Sequence, residues 1–283
     1  MASVNSPIRT LVKPIFYKLL GRKGYRYVQM RAKIKDIKER LVEEKEMALL
    51  PSFINSGDTV IDLGANYAYY VERMSKLVGN NGKVIAFEPI PFTYEVCKMI
   101  CKKLNLKNVD LHPFAAHENN EELEFRVPKL DFGGISAGQS HLASRNNDLA
   151  GKENYYAFNE AEIVHCEGKK LDTFLPSDLQ KLSFVKIDIE GGEYFALKGM
   201  KETLLKHNPT ILIEIQPFFL KGLNISELDL LDLIKSMNYD VYYYEIDVKK
   251  LKLVTENLWD DNYIFIHNSK IENYRSLIYD GEQ

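Results

Sequence analysis

Two short apolar runs, each closing on a carboxylate, constrain this chain more than any other feature. The first is Thr59-Val60-Ile61-Asp62-Leu63, followed by Gly64-Ala65-Asn66. The second is Lys83-Val84-Ile85-Ala86-Phe87, followed by Glu88-Pro89. Between them lies an amphipathic stretch, residues 67–77, that stops at Gly79-Asn80-Asn81-Gly82. Strand, glycine turn, helix, strand and acid, in that order, make the first half of a nucleoside-binding α/β domain. Glu88 follows Asp62 by roughly 20–30 residues, the spacing that puts an acid at the tip of the neighbouring parallel strand. There it can accept both hydroxyls of a ribose diol.

The pattern continues beyond this unit. Further strands are expected at 109–114, 183–189 and 210–215. Helices are expected at 91–104, 194–207 and 225–237, with Pro91 in the first turn of one and Ser226 as the N-cap of another. The runs 240–246 and 263–267 flank a polar turn and read as an antiparallel pair. Together these elements predict an α/β, Rossmann-like fold: a seven-stranded, mostly parallel sheet with one antiparallel strand. Residues 1–50 form a basic N-terminal segment that reads as helices, with a break near Gly21-Gly24. The main domain is expected over 51–283.

Residues 117–170 depart from the alternation. Leu123-Glu124-Phe125-Arg126-Val127 alternates like an exposed strand, Phe132–Gly138 is glycine-rich, and Ile163-Val164-His165-Cys166 reads as another short strand. Irregular insertions of this kind carry function, so this section is expected to lie over the active-site face and meet the substrate.

The net charge of −3 hides a strong asymmetry. Residues 1–40 carry eleven Lys and Arg against only Asp36 and Glu39. The N-terminal segment should therefore meet something anionic: the acidic body of the protein, a membrane surface reached through residues 8–40, or a phosphorylated substrate. The best apolar run near the N-terminus, residues 14–20, is short and interrupted by Lys18, so neither a signal peptide nor a transmembrane segment is expected. Cys97, Cys101 and Cys166 are odd in number and lack metal-ligand spacing, which suits core thiols in a reducing, cytoplasmic setting.

The chemistry of the glycine turn is selective. A pyrophosphate needs several backbone N–H groups at close approach, hence three glycines, and the turn from Asp62 to Asn66 offers only Gly64. S-adenosyl-L-methionine (SAM) has a ribose, an adenine and a cationic amino-acid tail but no phosphate. Asp62 could then serve the positive tail, directly or through water, and Glu88 the ribose. A second constellation is Val185-Lys186-Ile187-Asp188-Ile189-Glu190-Gly191-Gly192-Glu193, in which period two puts Lys186, Asp188 and Glu190 on one face. Glu214, near the end of the next strand, adds another acid to the same rim. The alternative is a supporting network in which Lys186 merely neutralises these acids.

With these motifs the chain resembles the FkbM family of SAM-dependent methyltransferases. The resemblance spans residues 55–267 and rests on Asp62–Asn66, Phe87-Glu88-Pro89, Leu171-Asp172-Thr173, Val185–Gly191 with Glu193, Gly199 and Ile213-Glu214. It implies a class I methyltransferase fold, SAM as donor and O-methylation of a hydroxyl on a sugar, glycan or natural product. It also implies that Gly64, Asn66, Glu88 and Asp188, with the adjoining Ala65 and Pro89, contact or orient the cofactor. Ala68 stands where the family commonly has glycine, and Gly192 where a bulkier residue is frequent. Residues 1–50 lie outside the shared pattern.

A sugar hydroxyl is a weak nucleophile, so a base or a metal must deal with its proton. Asp188, Glu190 and Glu214 are the candidates, as base or as oxygen ligands of a hard cation such as Mg²⁺; His141 and His165 are alternative bases. Two competing functions remain at this level. One is RNA ribose 2′-O-methylation, motivated by the basic N-terminus. The other is a non-catalytic module that binds an anionic surface.

Overall fold

A computed structural model describes residues 7–146, 160–255, 257–259 and 261–281, with side chains from residue 11 onward. Part of the 117–170 section, residues 147–159, lies outside the described residues. In chain order the strands are β1 (Thr59–Leu63), β2 (Lys83–Phe87), β3 (Val109–His112), β4 (Ala115–Ala116), β5 (Glu121–Pro128) and β6 (His141–Leu142). They continue with β7 (Ala161–Lys169), β8 (Leu182–Ile187), β9 (Thr210–Ile215), β10 (Tyr239–Glu245), β11 (Lys250–Leu253) and β12 (Asp261–His267). The helices are α1 (Pro7–Lys38), α2 (Leu50–Phe53), α3 (Tyr69–Val78), α4 (Pro91–Lys103) and α5 (Leu171–Phe174). After these come α6 (Glu193–Gly199), α7 (Lys201–His207), α8 (Pro217–Gly222) and α9 (Glu227–Ser236).

The main sheet runs β11-β10-β12-β9-β8-β1-β2-β3. Strands β3, β2, β1, β8 and β9 are parallel to their neighbours, and β12 runs against β9. This is the expected Rossmann-like arrangement with one correction. Among the described residues the sheet has eight strands, because Lys250-Leu251-Lys252-Leu253 pairs antiparallel with β10. Its lysines disguise it as a turn, yet Leu251 is fully buried. A short edge strand bearing lysines blunts the sheet against pairing with another chain. The order reverses between β1 and β8, and a crevice opens at their C-terminal ends.

Alternation along the strands builds two cores. Val60, Val84 and Phe184 face one side, with Met74 of α3 and Val96 of α4. Ile61, Leu63, Ile85 and Phe87 face the other, with Leu197 of α6 and Ile234 of α9. The expected helix over 194–207 is two helices, α6 and α7, which meet at Met200. Ser226 does cap α9: it accepts from Asp229 N–H, and Asp229 reciprocates as a capping box. Strand β8 ends at Ile187, so Asp188 lies in the loop rather than in the strand as expected.

Helix α1 breaks at Gly21, whose φ of 61° and ψ of −179° no helix allows. Its second half buries Tyr25, Met30 and Ile34 in the core shared with α3 and α4. The N-terminal segment therefore rests on the main sheet's own helices. Arg22 pairs with Glu162 and Arg26 approaches Glu95, so part of its charge is met by the protein's acidic body.

The expected strands within 117–170 pair with each other: β5 and β7 run antiparallel, flanked by β6 and β4 in a second sheet that has four strands among the described residues. Gly199 joins this sheet to the main fold, because a Cβ there would stand 2.0 Å from the His117 carbonyl oxygen. Backbone cannot yield as a side chain does. Gly199→Ala should therefore destabilise the protein by about 1–3 kcal/mol, read as a lower midpoint in chemical denaturation. An unchanged midpoint would mean that α6 and the small sheet are not in contact.

Candidate active site

The C-terminal ends of β1, β2, β8 and β9 converge on a cavity of about 230 Å³. Its floor includes Leu63, Gly64 and Asn66, with Glu88 and Pro89 on one side and Asp188, Glu190 and Glu214 on the other. The small sheet supplies the opposite wall through Leu123, Phe125 and Leu142, and Ala137 and Gly138 close one edge. Four carboxyl groups line this cavity, and among the described residues neither lysine nor arginine does.

The glycine turn is dictated by close approach. Gly64 has φ of +86°, and a Cβ there would lie 2.0 Å from the Asp188 carbonyl oxygen. The N–H groups of Gly64 and Ala65 both donate to the Phe87 carbonyl, at 3.0 and 2.9 Å, which ties the β1 turn to the end of β2. Ala65 is thus a backbone tie and does not line the cavity. Asn66 and Ala68 are also left-handed, with φ of 45° and 63°. Alanine occupies the position where glycine would sit at less cost.

Glu88 accepts the Asn66 N–H at 2.9 Å through Oε2 and the Ile90 N–H at 3.0 Å through Oε1. Each oxygen keeps further acceptor capacity. Burial pushes its carboxyl up to about 7, against the pull of those two backbone donors.

Asp62 is placed differently from its partner. It is fully buried and stands behind the cavity wall rather than in it. Neither of its oxygens makes a hydrogen bond, and Lys186 Nζ is 3.8 Å away. Burial raises its carboxyl to about 7, although the lysine opposes the shift.

Lys186 reaches Asp188 at 3.0 Å and sits over the Tyr70 ring at 4.8 Å from its centroid. Burial works against its charge, but the carboxylates of Asp188 and Asp62 outweigh it and keep the ammonium protonated. Asp188 in turn stays below the usual carboxylate range: burial opposes ionisation, while Lys186 and a hydrogen bond with Glu214 favour it more strongly. Glu214 is pushed the other way, to about 8, by burial and by the Asp188 charge. At neutral pH the pair is therefore one carboxylate and one carboxylic acid, with Glu214 the donor.

Glu190 adopts a left-handed φ of 56°, having left the strand geometry that would align it with Lys186. Its Oε2 is buried and has no hydrogen-bond partner. Burial, then the charges of Asp188 and Glu214, raise its carboxyl well above the ordinary range. Arg145 donates to the Glu190 carbonyl at 2.8 Å and stacks on Phe219, which fixes this loop from behind. Glu193 accepts the N–H groups of Ile189 and Gly191 and so holds the loop's shape without lining the cavity.

The sequence-level candidates thus separate. Gly64, Asn66, Glu88, Pro89, Asp188, Glu190 and Glu214 come together; Asp62 and Ala65 stand behind them. His141 is buried, bonded to the Gln139 carbonyl and outside the lining. His165 lies on the exposed side of β7 beside Glu122, also outside the lining. Asp172 caps α7, accepting from Glu202 and Thr203. Sequence reasoning missed His117, which lines the cavity with its ring against Phe195. Its sequence signal was its place at the start of the 117–170 section, which the structure puts directly after β4. Among the described residues no group of three or more His, Cys, Asp or Glu is disposed to hold a metal ion.

Residues 62–241 match the Methyltransferase FkbM domain. A protein-L-isoaspartate O-methyltransferase of Methanococcus maripaludis is 35% identical over 57 residues, which covers 20% of this chain and 27% of that protein. Among solved structures, a methyltransferase FkbM from Methylobacillus flagellatus is 15% identical with a TM-score of 0.45, covering 84% of this chain and 59% of that one. A putative rRNA methylase from Clostridium thermocellum is 12% identical with a TM-score of 0.46, covering 80% and 96%. The chain thus matches about a quarter of the curated relative's length and 59% of the Methylobacillus chain.

The raised carboxyls make stability depend on pH. Glu214 titrates near 8 when folded, far above an unfolded glutamate, so its contribution is present at low pH and is lost as pH rises through about 8. The histidines with resolved shifts are all lowered and so are neutral above pH 7. Between pH 7 and 8.5 the melting midpoint should therefore fall by roughly 2–4 °C for each kcal/mol lost. Glu214→Gln should make that slope shallower, while the raised carboxyls of Asp62, Glu88 and Glu190 keep part of it. An equally steep slope in the variant would place the ionisation elsewhere.

Proposed function

The chain belongs to the FkbM methyltransferase family, and on that premise we propose that it uses SAM to methylate a hydroxyl of a sugar, glycan or natural-product-like acceptor. The composition of the cavity wall supports this best. Among the described residues four carboxyl groups and no lysine or arginine line the cavity, and a cationic ligand would draw the raised carboxyls of Glu88, Glu190 and Glu214 into their ionised forms, which a pyrophosphate or a phosphodiester would not. The same property favours a small polyhydroxy acceptor over RNA, whose backbone calls for cationic contacts.

The residues present fit the cofactor. Glu88 would take the ribose hydroxyls with its remaining lone pairs. The Gly64–Asn66 turn would border the nucleoside, and the apolar lining from Phe87 and Phe114 suits an aromatic base. Asp188, kept ionised by Lys186, would attract the cationic tail, with Asp62 adding its field from behind the wall. When bound, SAM supplies an electrophilic methyl group on a sulfonium.

Glu190 is the proposed base. Its unpartnered Oε2 can accept the proton of the acceptor hydroxyl, and its elevated carboxyl is a stronger base than an ordinary glutamate once ionised. Glu214, by donating to Asp188, keeps that second carboxylate from turning towards the same proton. We assign acceptor selection to the small sheet, whose Leu123, Phe125 and Leu142 face the carboxylates across the cavity.

Labelled SAM offered to carbohydrate and RNA fractions should label the carbohydrate. Glu190→Gln should lower kcat by about 10²–10⁴-fold while SAM affinity is retained. It should also abolish the rise of kcat with pH that the raised Glu190 carboxyl imposes. Full turnover in Glu190→Gln would remove it from the chemistry. Separately, Glu88→Ala should weaken SAM binding about 10–100-fold in calorimetry, the loss of charge-assisted hydrogen bonds. Undiminished affinity would detach Glu88 from the ribose.

A further inference from the structure

The first half of α1, before the break at Gly21, shows an apolar face to solvent. Leu11 is 71% exposed, Ile15 54% and Leu19 74%. Spaced by four, these three fall within about 80° of arc on a helix of 3.6 residues per turn. Phe16 and Leu20, also exposed, extend the arc on one side. The opposite face is anchored: Tyr17 packs edge-on against Tyr25 and Phe132, at 5.3 and 5.7 Å between ring centroids. Solvent exposure of Leu11, Ile15 and Leu19 is thus not a consequence of a detached helix.

The charge around this face has one sign. No Asp or Glu occurs before Asp36. On the same helical wheel Lys18 borders the apolar arc on one edge and Lys13 on the other, and Lys23 follows the break. Among the described residues none of these three lysines pairs with a carboxylate, whereas Arg22 is spent on Glu162. An apolar stripe framed by lysines on a helix that is too polar to cross a bilayer is the form of an interfacial helix. RNA would use the lysines but leave the aliphatic stripe in water. A second copy of this chain would bring lysines against lysines.

We propose that residues 11–23 dock the protein on an anionic lipid surface, with Leu11, Ile15 and Leu19 in the acyl boundary and Lys13, Lys18 and Lys23 among the anionic headgroups. Two weak signals, apolar and basic, act together, which is what reversible membrane binding requires. The docked helix adjoins the 130–140 segment through Tyr17 and Phe132, and that segment borders the cavity at Ala137 and Gly138. Docking would therefore bring the cavity close to the membrane plane.

The test is co-sedimentation of the full chain with vesicles of phosphatidylcholine alone or with about a third phosphatidylglycerol. Wild-type protein should pellet with the anionic vesicles and stay in solution with the neutral ones. The Leu11→Ser/Ile15→Ser/Leu19→Ser variant and the Lys13→Gln/Lys18→Gln/Lys23→Gln variant should each lose at least tenfold in partitioning while binding SAM as the wild type does. Wild-type protein that ignores both vesicle types overturns the proposal. So does a serine variant that still partitions normally, binding that single-stranded RNA displaces without need of the aliphatic residues, or a wild-type dimer that the serine substitutions split.

Discussion

The ammonium group of Lys186, buried between strands β1 and β8 at the reversal of strand order, is the interaction on which the site depends. It lies 3.0 Å from Asp188 and 3.8 Å from Asp62, on neighbouring strands whose register places Asp62 beside Lys186. Burying such a charge is expensive, and removing one partner of a buried pair typically costs about 3–5 kcal/mol. The carboxylates offset that cost here, and the consequences spread outward. Asp188 remains ionised because the lysine is next to it. Glu214 remains protonated because it is buried and because Asp188 beside it is ionised. Glu190 is raised by burial first and then by the charge of Asp188 beside it. One buried cation thus holds Asp188 ionised, and burial together with that charge raises the two neighbouring glutamates.

The backbone around this centre is as constrained as the charges. Gly64 lets the β1 turn pass within contact of the Asp188 carbonyl, and the Gly64 and Ala65 N–H groups tie that turn to the end of β2. Glu88 returns the tie from β2 to Asn66. The loop after β8 is held by Glu193 from within and by Arg145 from the small sheet's side. These links hold the carboxyls at fixed separations, which is the condition for electrostatic preorganisation.

Much of this was legible in the residues. Strand and helix alternation gave the parallel part of the sheet, and the reversed strand followed from the polar turn between residues 246 and 263. The cavity-facing Gly64, Glu88, Asp188, Glu190 and Glu214 were all identifiable from strand-end position. Four features were not. Strand β11 hid because alternating Lys and Leu at a sheet edge resembles a surface turn. Asp62 was expected to serve the ligand's cationic tail directly or through water; it stands behind the cavity wall, because which way a strand-end acid points changes with one residue of register and only the packed sheet decides it. His117 was invisible because its place in the cavity depends on Gly199 and on pairing between β4 and β7, contacts far apart in sequence. Local periodicity carries no information about such pairings. The apolar stripe of α1 was equally obscured, since its aliphatic residues look like core until Tyr17 is seen to face inward instead.

The central claim is that an acid-lined cavity at the β1–β8 crevice accepts a cationic nucleoside and rejects a pyrophosphate. Parallel calorimetric titration of the intact protein with SAM and with NAD tests it most directly. Saturable, one-to-one heat with SAM and none with NAD is the expected result. Saturable binding of NAD in the absence of SAM binding would contradict the account.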